Sequence, residues 1–211
     1  MLAHLPLYTA TTMSTDEKVY ISAQKLLEDS LDLGQQILVS GFRPNFIVGV
    51  WRGGTPVGIL VQELLDFYGV ETDHISIRTS SYSGMNRREN KVRVHGLSYL
   101  TSTMNAEDSL LIVDDVFDTG LSVKAILKKL REKSRKNLPH DVRIATAYYK
   151  PARNKTNFTP DFYTHKTDDW LVFPHEMEGL SRSEIETNKP HLLKVMDALE
   201  GVISPVKLRK E

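Results

Sequence analysis

The chain contains no cysteine, which excludes disulfides, thiolate nucleophiles and cysteine-bound metals together. It has no apolar run approaching the ~20 residues that cross a bilayer, so no membrane span is expected. It has no charge of one sign in excess. Its 27 lysines and arginines stand against 27 aspartates and glutamates, and a chain so balanced offers no general field for nucleic acid or an anionic membrane. Aromatic residues are scarce at 8%, with two tryptophans. No internal repeat or low-complexity segment is visible. The first residues, Met1 to Tyr8, lack a basic stretch ahead of their apolar ones and are not read as a signal peptide. What remains is ordinary: 211 residues, 40% hydrophobic and 26% charged, enough for one domain with a real core. The lack of cysteine fits a cytoplasmic protein.

What is present centres on Leu110-Leu111-Ile112-Val113-Asp114-Asp115-Val116-Phe117-Asp118-Thr119-Gly120-Leu121-Ser122. An apolar run reads as a buried strand, an acidic pair follows it, and a short loop ends in Asp-Thr-Gly-Leu-Ser. Val123, Ile126, Leu127 and Leu130 then recur at helical spacing. A strand, a loop and a helix start form a place where α/β proteins bind ligands. The helix start offers unpaired amides and a positive dipole end, which suit a phosphate. Thr119 and Ser122 add hydroxyl donors, and Gly120 lets the backbone come close. Asp114 and Asp115 would repel a bare polyanion. They make sense as acceptors for sugar hydroxyls and as oxygen ligands for Mg²⁺. A ligand with a 5′-phosphate, a ribose diol and a metal-bound diphosphate satisfies all these groups, and 5-phosphoribosyl-1-diphosphate is such a ligand.

Other segments surround this motif. Val19-Tyr20-Ile21 reads as a strand, and Ser22 caps a helix whose apolar face is Ala23, Leu26, Leu27 and Leu31, with Gly41 placed to end it. Phe46-Ile47-Val48-Gly49-Val50 reads as a central parallel strand. Trp51-Arg52-Gly53-Gly54-Thr55-Pro56 follows, with Thr55 expected as the N-cap of the next helix and Pro56 at its first position. Two glycines leave room for an anion against amides, and Arg52 supplies a planar donor fork. Ile75 and Ile77 mark another strand. The polar stretch from Ser80 to Lys91 holds Arg87, Arg88 and Lys91, with Arg93 just beyond it. Val142–Tyr149 is a further strand, closed by Lys150-Pro151-Ala152-Arg153. Lysine has donors and no acceptor, so Lys150 can serve a 6-oxo group and cannot pair with the 6-amino group of adenine. Trp170 offers a flat apolar face to a purine, worth ~1–3 kcal/mol per stacked base. Leu192, Leu193, Met196 and Leu199 make an apolar helical face after Pro190, to pack on the domain or on a neighbouring subunit.

The central motif resembles the phosphoribosyl-diphosphate motif of the type I phosphoribosyltransferases. Within that family, the Ser-Ser-Tyr start with its Arg-Glu pair and the Lys-Pro-Ala run resemble the purine enzymes of the bacterial xanthine–guanine type. The resemblance covers about residues 19 to 180. It implies an α/β fold with a mainly parallel central sheet, helices on both faces, and a small hood built from 19–21 and about 155–180. Residues 1–18 would be an N-terminal extension and 181–211 a helical tail. It implies purine salvage, in which phosphoribosyl diphosphate and a free 6-oxopurine (hypoxanthine, guanine or xanthine) give IMP, GMP or XMP and diphosphate. The alternative from another class is a regulator that uses the same fold to sense the donor or a nucleotide.

By the same resemblance the donor would be held by Arg52, Gly53, Arg88, Asp114, Asp115, Asp118, Thr119, Gly120, Leu121 and Ser122. Arg52 lies in the diphosphate loop, which in the family often carries a cis peptide, here Trp51–Arg52. Arg88 lies in the loop that closes over the diphosphate. Asp114 and Asp115 would hold Mg²⁺ as cofactor, and Asp118 would take the proton from N7 as catalytic base. Lys150, Trp170, Leu171 and Glu176 would bind the purine. His175 departs from the aromatic of the xanthine–guanine enzymes. The family implies a homodimer or homotetramer with no nucleic-acid partner.

Overall fold

The computed structural model describes residues 18–83, 90–205, 207 and 208. Arg87 and Arg88, singled out above, and most of the expected N-terminal extension lie outside the described residues. Among the described residues, eight strands and six α-helices follow in the order β1 (Lys18–Tyr20), α1 (Ala23–Val39), β2 (Phe46–Trp51), α2 (Gly54–Phe67), β3 (Asp73–Ser83), β4 (Asn90–His95), α3 (Ser98–Thr103), β5 (Ser109–Phe117), α4 (Leu121–Ser134), β6 (Asp141–Tyr149), β7 (Phe162–Lys166), β8 (Trp170–Val172), α5 (Arg182–Asn188) and α6 (Pro190–Leu199). The main sheet has six strands in the order β4-β3-β2-β5-β6-β7. All its pairings are parallel except β3 with β4.

Alternation along the strands divides the core in two. Ile47, Leu111, Val113, Ala145 and Ala147 face one side, with Leu26, Leu33 and Ile37 of α1 and Val57, Val61 and Leu65 of α2. Val48, Val50, Leu110 and Ile112 face the other, with Leu100 of α3 and Ile126 and Leu130 of α4. The central strands are therefore apolar on both faces, as a parallel sheet covered by helices requires. The parallel strands bring the loops after β2, β5 and β6 to one edge of the sheet, where α/β folds bind ligands.

Three expectations are corrected. The acidic pair does not follow the strand: β5 runs on through Asp114 and Asp115 to Phe117, because β6 stays paired with it as far as Tyr149. Thr55 is not the N-cap of α2. The helix starts at Gly54 with Gly53 as cap, since two residues without side chains let it begin directly against β5. The region 155–180 does not belong to the hood as a whole. Phe162–Lys166 pairs with β6 as an edge strand of the main sheet, and only Trp170–Val172 joins Lys18–Tyr20 in a separate two-stranded parallel sheet.

Ser22 caps α1 as expected, accepting the Lys25 amide at 3.0 Å. The C-terminal helices pack on their own domain. Ile185 of α5 and Leu192, Leu193 and Met196 of α6 enclose Val172, Tyr20 and Leu180. A capping box opens α5: Ser181 and Glu184 satisfy each other's backbone amides. Lys18 meets Glu184 at 2.6 Å. Hydrogen bonds from Lys18 and the Ser181 amide hold Glu184 at about 2, and burial lifts Tyr20 to about 12.

Candidate functional site

The loop after β2 lies against the end of β5 with almost no clearance. A Cβ on Gly53 would fall 1.8 Å from Asp115 Oδ2, and one on Gly54 would fall 2.4 Å from the Val113 carbonyl oxygen. Any other residue would push this loop off the neighbouring strand. The absence of side chains thus brings the exposed Arg52 and the Gly53 backbone beside Asp115. The Trp51–Arg52 peptide is cis, as the resemblance implied.

Asp115 is buried at 8% exposure. Its Oδ1 accepts the Val116 amide at 2.8 Å, while Asp114 Oδ1 accepts the Asp115 amide at 3.0 Å. Burial, and then the neighbouring Asp115 charge, push Asp114 well above the usual carboxylate range. The turn beyond holds Asp118, Thr119 and Gly120. Gly120 sits at φ 72°, and a Cβ there would meet the Phe117 ring at 2.7 Å and Thr156 Oγ1 at 2.9 Å, so both the backbone region and the space call for glycine. No side chain caps α4 from Gly120. The nearest hydroxyl contact is a long one, from the Leu121 amide to Thr119 Oγ1 at 3.4 Å. The first turn of this 14-residue helix, with Ser122 in it, is open to an anion.

Lys150 begins the loop after β6. It is 7% exposed, and its amide donates to the Phe117 carbonyl at 2.9 Å. Burial lowers its ammonium, and the Asp118 charge opposes that. Arg153, three residues on, brings Nε to 2.6 Å from Asp118 Oδ1. That oxygen is buried and has no well-aligned hydrogen bond among the described residues, so the contact is close but poorly directed. The Lys155 amide donates to the Thr119 carbonyl at 3.0 Å, and the Ala152 amide to Asp168 Oδ1 at 3.0 Å. The loops after β5, β6 and β7 are thus laced together.

The hood carries the remaining residues. Trp170 is 56% exposed, with the Lys18 ammonium 5.3 Å from its ring. Trp170, Leu171 and Glu176 line one cavity of about 520 Å³ with Lys18, Val172 and Leu180. Leu171 is 7% exposed and joins the main core. Glu176 is occupied by its own turn: Oε2 accepts the Phe173 amide at 2.9 Å.

The structure therefore brings together Gly53, Asp114 and Asp115, and beside them Asp118, Gly120 and Lys150. It gathers Trp170, Leu171 and Glu176 separately, on a cavity whose walls include neither Lys150 nor Asp118. The Asp168 contact joins the two groups. Two residues at the site had been given no role from sequence, Arg153 and His175. The signal for Arg153 was its place in the run that closes β6. For His175, 3.2 Å from Asp115 Oδ2, it was the unusual residue after Pro174. Among the described residues, no three or more His, Cys, Asp or Glu side chains could hold a metal by themselves. Two adjacent carboxylates suit Mg²⁺ in another way, since that ion is usually bound by one or two carboxylates together with substrate phosphates. Among the described residues no helix is long and apolar enough to cross a membrane.

Known proteins bear on this geometry. A hypoxanthine-guanine phosphoribosyltransferase of Bacillus subtilis is 26% identical over 191 residues, 90% of this chain and 94% of that protein. In fold, the chain is similar to the purine phosphoribosyltransferase of Pyrococcus horikoshii, with TM-score 0.60 at 24% identity over 77% of this chain and 97% of that one. It is also similar to the xanthine-guanine-hypoxanthine phosphoribosyltransferase of Helicobacter pylori, with TM-score 0.59 at 22% identity over 85% and 99%. The model of the phosphoribosyl transferase domain matches residues 20–182, which takes in the whole six-stranded sheet and β8, and the chain belongs to that family.

Proposed function

We propose that the protein transfers the phosphoribosyl group of 5-phosphoribosyl-1-diphosphate to N9 of a 6-oxopurine, releasing diphosphate. The observation that carries this reading is the meeting, at one sheet edge, of an amide-rich glycine loop with Arg52, an acidic pair of which Asp115 is buried and Asp114 half-buried, an open helix start and a buried lysine. Each suits one part of the two substrates. The α4 amides with Thr119 and Ser122 take the 5′-phosphate. Asp114 and Asp115 accept the ribose hydroxyls. Arg52 and the Gly53 amide hold the diphosphate, joined by Arg88. Lys150 donates to the 6-oxo group, with Trp170 and Leu171 bordering the base and Glu176 near its 2-position.

The reaction separates diphosphate from a sugar that becomes cationic as N9 approaches. Donors already aimed at the leaving group favour that charge separation, and alignment of nucleophile and sugar carbon lowers the barrier further. Asp118 accepts the N7 proton, and Arg153 must give up its hold on Oδ1 as the base enters. Mg²⁺ held by Asp114 and Asp115 with the diphosphate would neutralise leaving-group charge. The reading includes a cytoplasmic setting and a homodimer or homotetramer, the latter measurable by light scattering.

The test is direct. Purified protein, donor and Mg²⁺ are incubated with hypoxanthine, guanine or xanthine, and nucleotide is resolved by chromatography. Product with at least one base is expected, and their relative kcat/KM sets the preference. No nucleotide from any of the three would overturn the proposal.

A further inference from the structure

His175 stands where the hood meets the acidic pair. Its ring stacks on Phe173, centroids 5.6 Å apart and planes 11° from parallel. Phe173 is 2% exposed and meets the edge of Tyr148 at 5.6 Å. The turn that carries the ring is braced on both sides. Phe173 and Glu176 exchange hydrogen bonds of 2.9 and 3.0 Å. From the C-terminal helices, the buried Lys189 ammonium donates to the Phe173 and Pro174 carbonyls at 2.8 and 3.1 Å. The imidazole is therefore held in place before any ligand arrives.

Its two nitrogens have different surroundings. Nδ1 is buried and without a partner among the described residues, while Nε2 lies 3.2 Å from Asp115 Oδ2, an ion-pair approach that stops short of a well-aligned hydrogen bond. A neutral imidazole has one N–H and one bare nitrogen. A proton on Nδ1 would leave a buried donor unused and turn two acceptors toward each other at the carboxylate. The arrangement thus selects the form with the proton on Nε2. On the other side, Asp115 Oδ1 is taken by the Val116 amide, and Oδ2 is the oxygen that lies against Gly53. His175 reaches the Asp115 oxygen that lies nearer to Gly53, 1.8 Å from a Cβ there against 2.7 Å for Oδ1.

We propose that His175 is the positioning residue for Asp115. Its Nε2, aimed at Oδ2 from 3.2 Å, limits how this carboxylate can turn and so sets the direction in which it meets the ribose diol and cation of the donor; it governs donor affinity and leaves base recognition alone. The proposal rests on the phosphoribosyl-donor reading above. It also gives the C-terminal helices a part in donor binding, through Lys189 and the braced turn.

Three variants test it. His175→Phe keeps a ring to stack on Phe173 and removes the donor. His175→Gln keeps an N–H donor and removes the ring. Asp115→Asn removes the charged acceptor. Calorimetric binding of phosphoribosyl diphosphate with Mg²⁺ is measured alongside KM for donor and base. For His175→Phe, donor binding weakens on the order of tenfold, donor KM rises with it, and base KM and melting temperature hold. His175→Gln recovers most of the loss. In the Asp115→Asn background His175→Phe adds little, because the residue it acts through is already altered. Should His175→Phe not fold, His175→Gln is judged in the same cycle, with wild-type-like donor binding expected alone and no loss beyond that of Asp115→Asn when the two are combined. Donor binding by His175→Phe equal to wild type, equal loss in the Phe and Gln variants, additive losses in the cycle, or a change confined to base KM would each overturn the proposal. Failure of the wild-type protein to bind the donor would overturn the donor reading itself, and is seen before any variant is made.

Discussion

Asp29 and Asp114 are both carboxylates taken out of water, and the chain treats them in opposite ways. Asp29, fully buried in α1, is satisfied from three directions. Lys25 and His165 reach its Oδ1 at 2.7 and 2.6 Å, and the Tyr148 hydroxyl donates to Oδ2 at 2.7 Å. Its carbonyl accepts from Thr164 at 3.0 Å. Burial pushes the Asp29 carboxyl up, but the donors outweigh burial and it settles below the usual range. Asp114 has burial and a neighbouring negative charge, with no comparable donors, and is driven up. A carboxylate that holds the fold together finds its donors within the chain. Asp114, which the proposed function turns toward a ligand's hydroxyls and cation, finds no comparable set among the described residues, and the fold carries the cost.

The sharpest way to test that contrast is to exchange stability for turnover. Asp118→Asn should lower kcat by roughly 10³-fold if it removes a catalytic base, with donor binding and melting temperature nearly unchanged. Equal losses in turnover and donor affinity would move Asp118 out of the proton-transfer role. Asp29→Ala should do the reverse. Breaking a buried, hydrogen-bonded charge costs about 3 kcal/mol, read by urea unfolding, while kcat per folded molecule holds. Because Asp29 lies below its ordinary value, its contribution is present at neutral pH and is lost as pH falls below about 4. The gap between wild type and Asp29→Ala should therefore narrow in acid.

Asp114→Asn should carry the opposite sign. Its raised carboxyl costs stability at neutral pH, and that cost is relieved as pH falls through the raised value toward about 4. The variant should gain on the order of 1 kcal/mol at pH 7, lose the gain in acid, and lose donor binding. A destabilised Asp114→Asn at neutral pH would show that the acidic end is structural too, and the contrast with Asp29 would fail.

The two carboxylates were also unequally legible. The run from Leu110 to Ser122 showed its purpose because a strand, an acidic pair and a glycine turn are local, and the backbone alone places them. The same holds for Trp51 to Gly54, though the helix starts earlier than its local pattern indicates, since the close approach of Gly54 to Val113 is a contact between α2 and a strand far away in sequence. Asp29 sits in Leu26-Leu27-Glu28-Asp29-Ser30, where it reads as one more acid on a helix. Its partners Tyr148 and His165 lie 119 and 136 positions away, beyond the reach of any periodicity. Arg153 and His175 were hidden in the same way: each meets an aspartate far off in sequence, Asp118 in the turn after β5 and Asp115 within β5. The short helices α3 and α5 went unread because a helix of two turns or fewer leaves too few apolar positions to show a period.

The smallest predicted effect separates charge from burial inside the Asp29 node. Lys25 brings a lysine ammonium to the node, yet its side chain is 46% exposed, so water competes for its ammonium and an exposed pair is worth about 0.5 kcal/mol. Tyr148 carries no charge, but its hydroxyl is buried against Asp29, and losing it leaves an acceptor unpaired at about 1.5 kcal/mol. Lys25→Met should therefore cost less than Tyr148→Phe, and adding salt should shrink only the Lys25 effect. If the two cost the same at low salt, the node would be held by ion pairing at its rim. Satisfaction of buried oxygens would then no longer be what distinguishes Asp29 from Asp114.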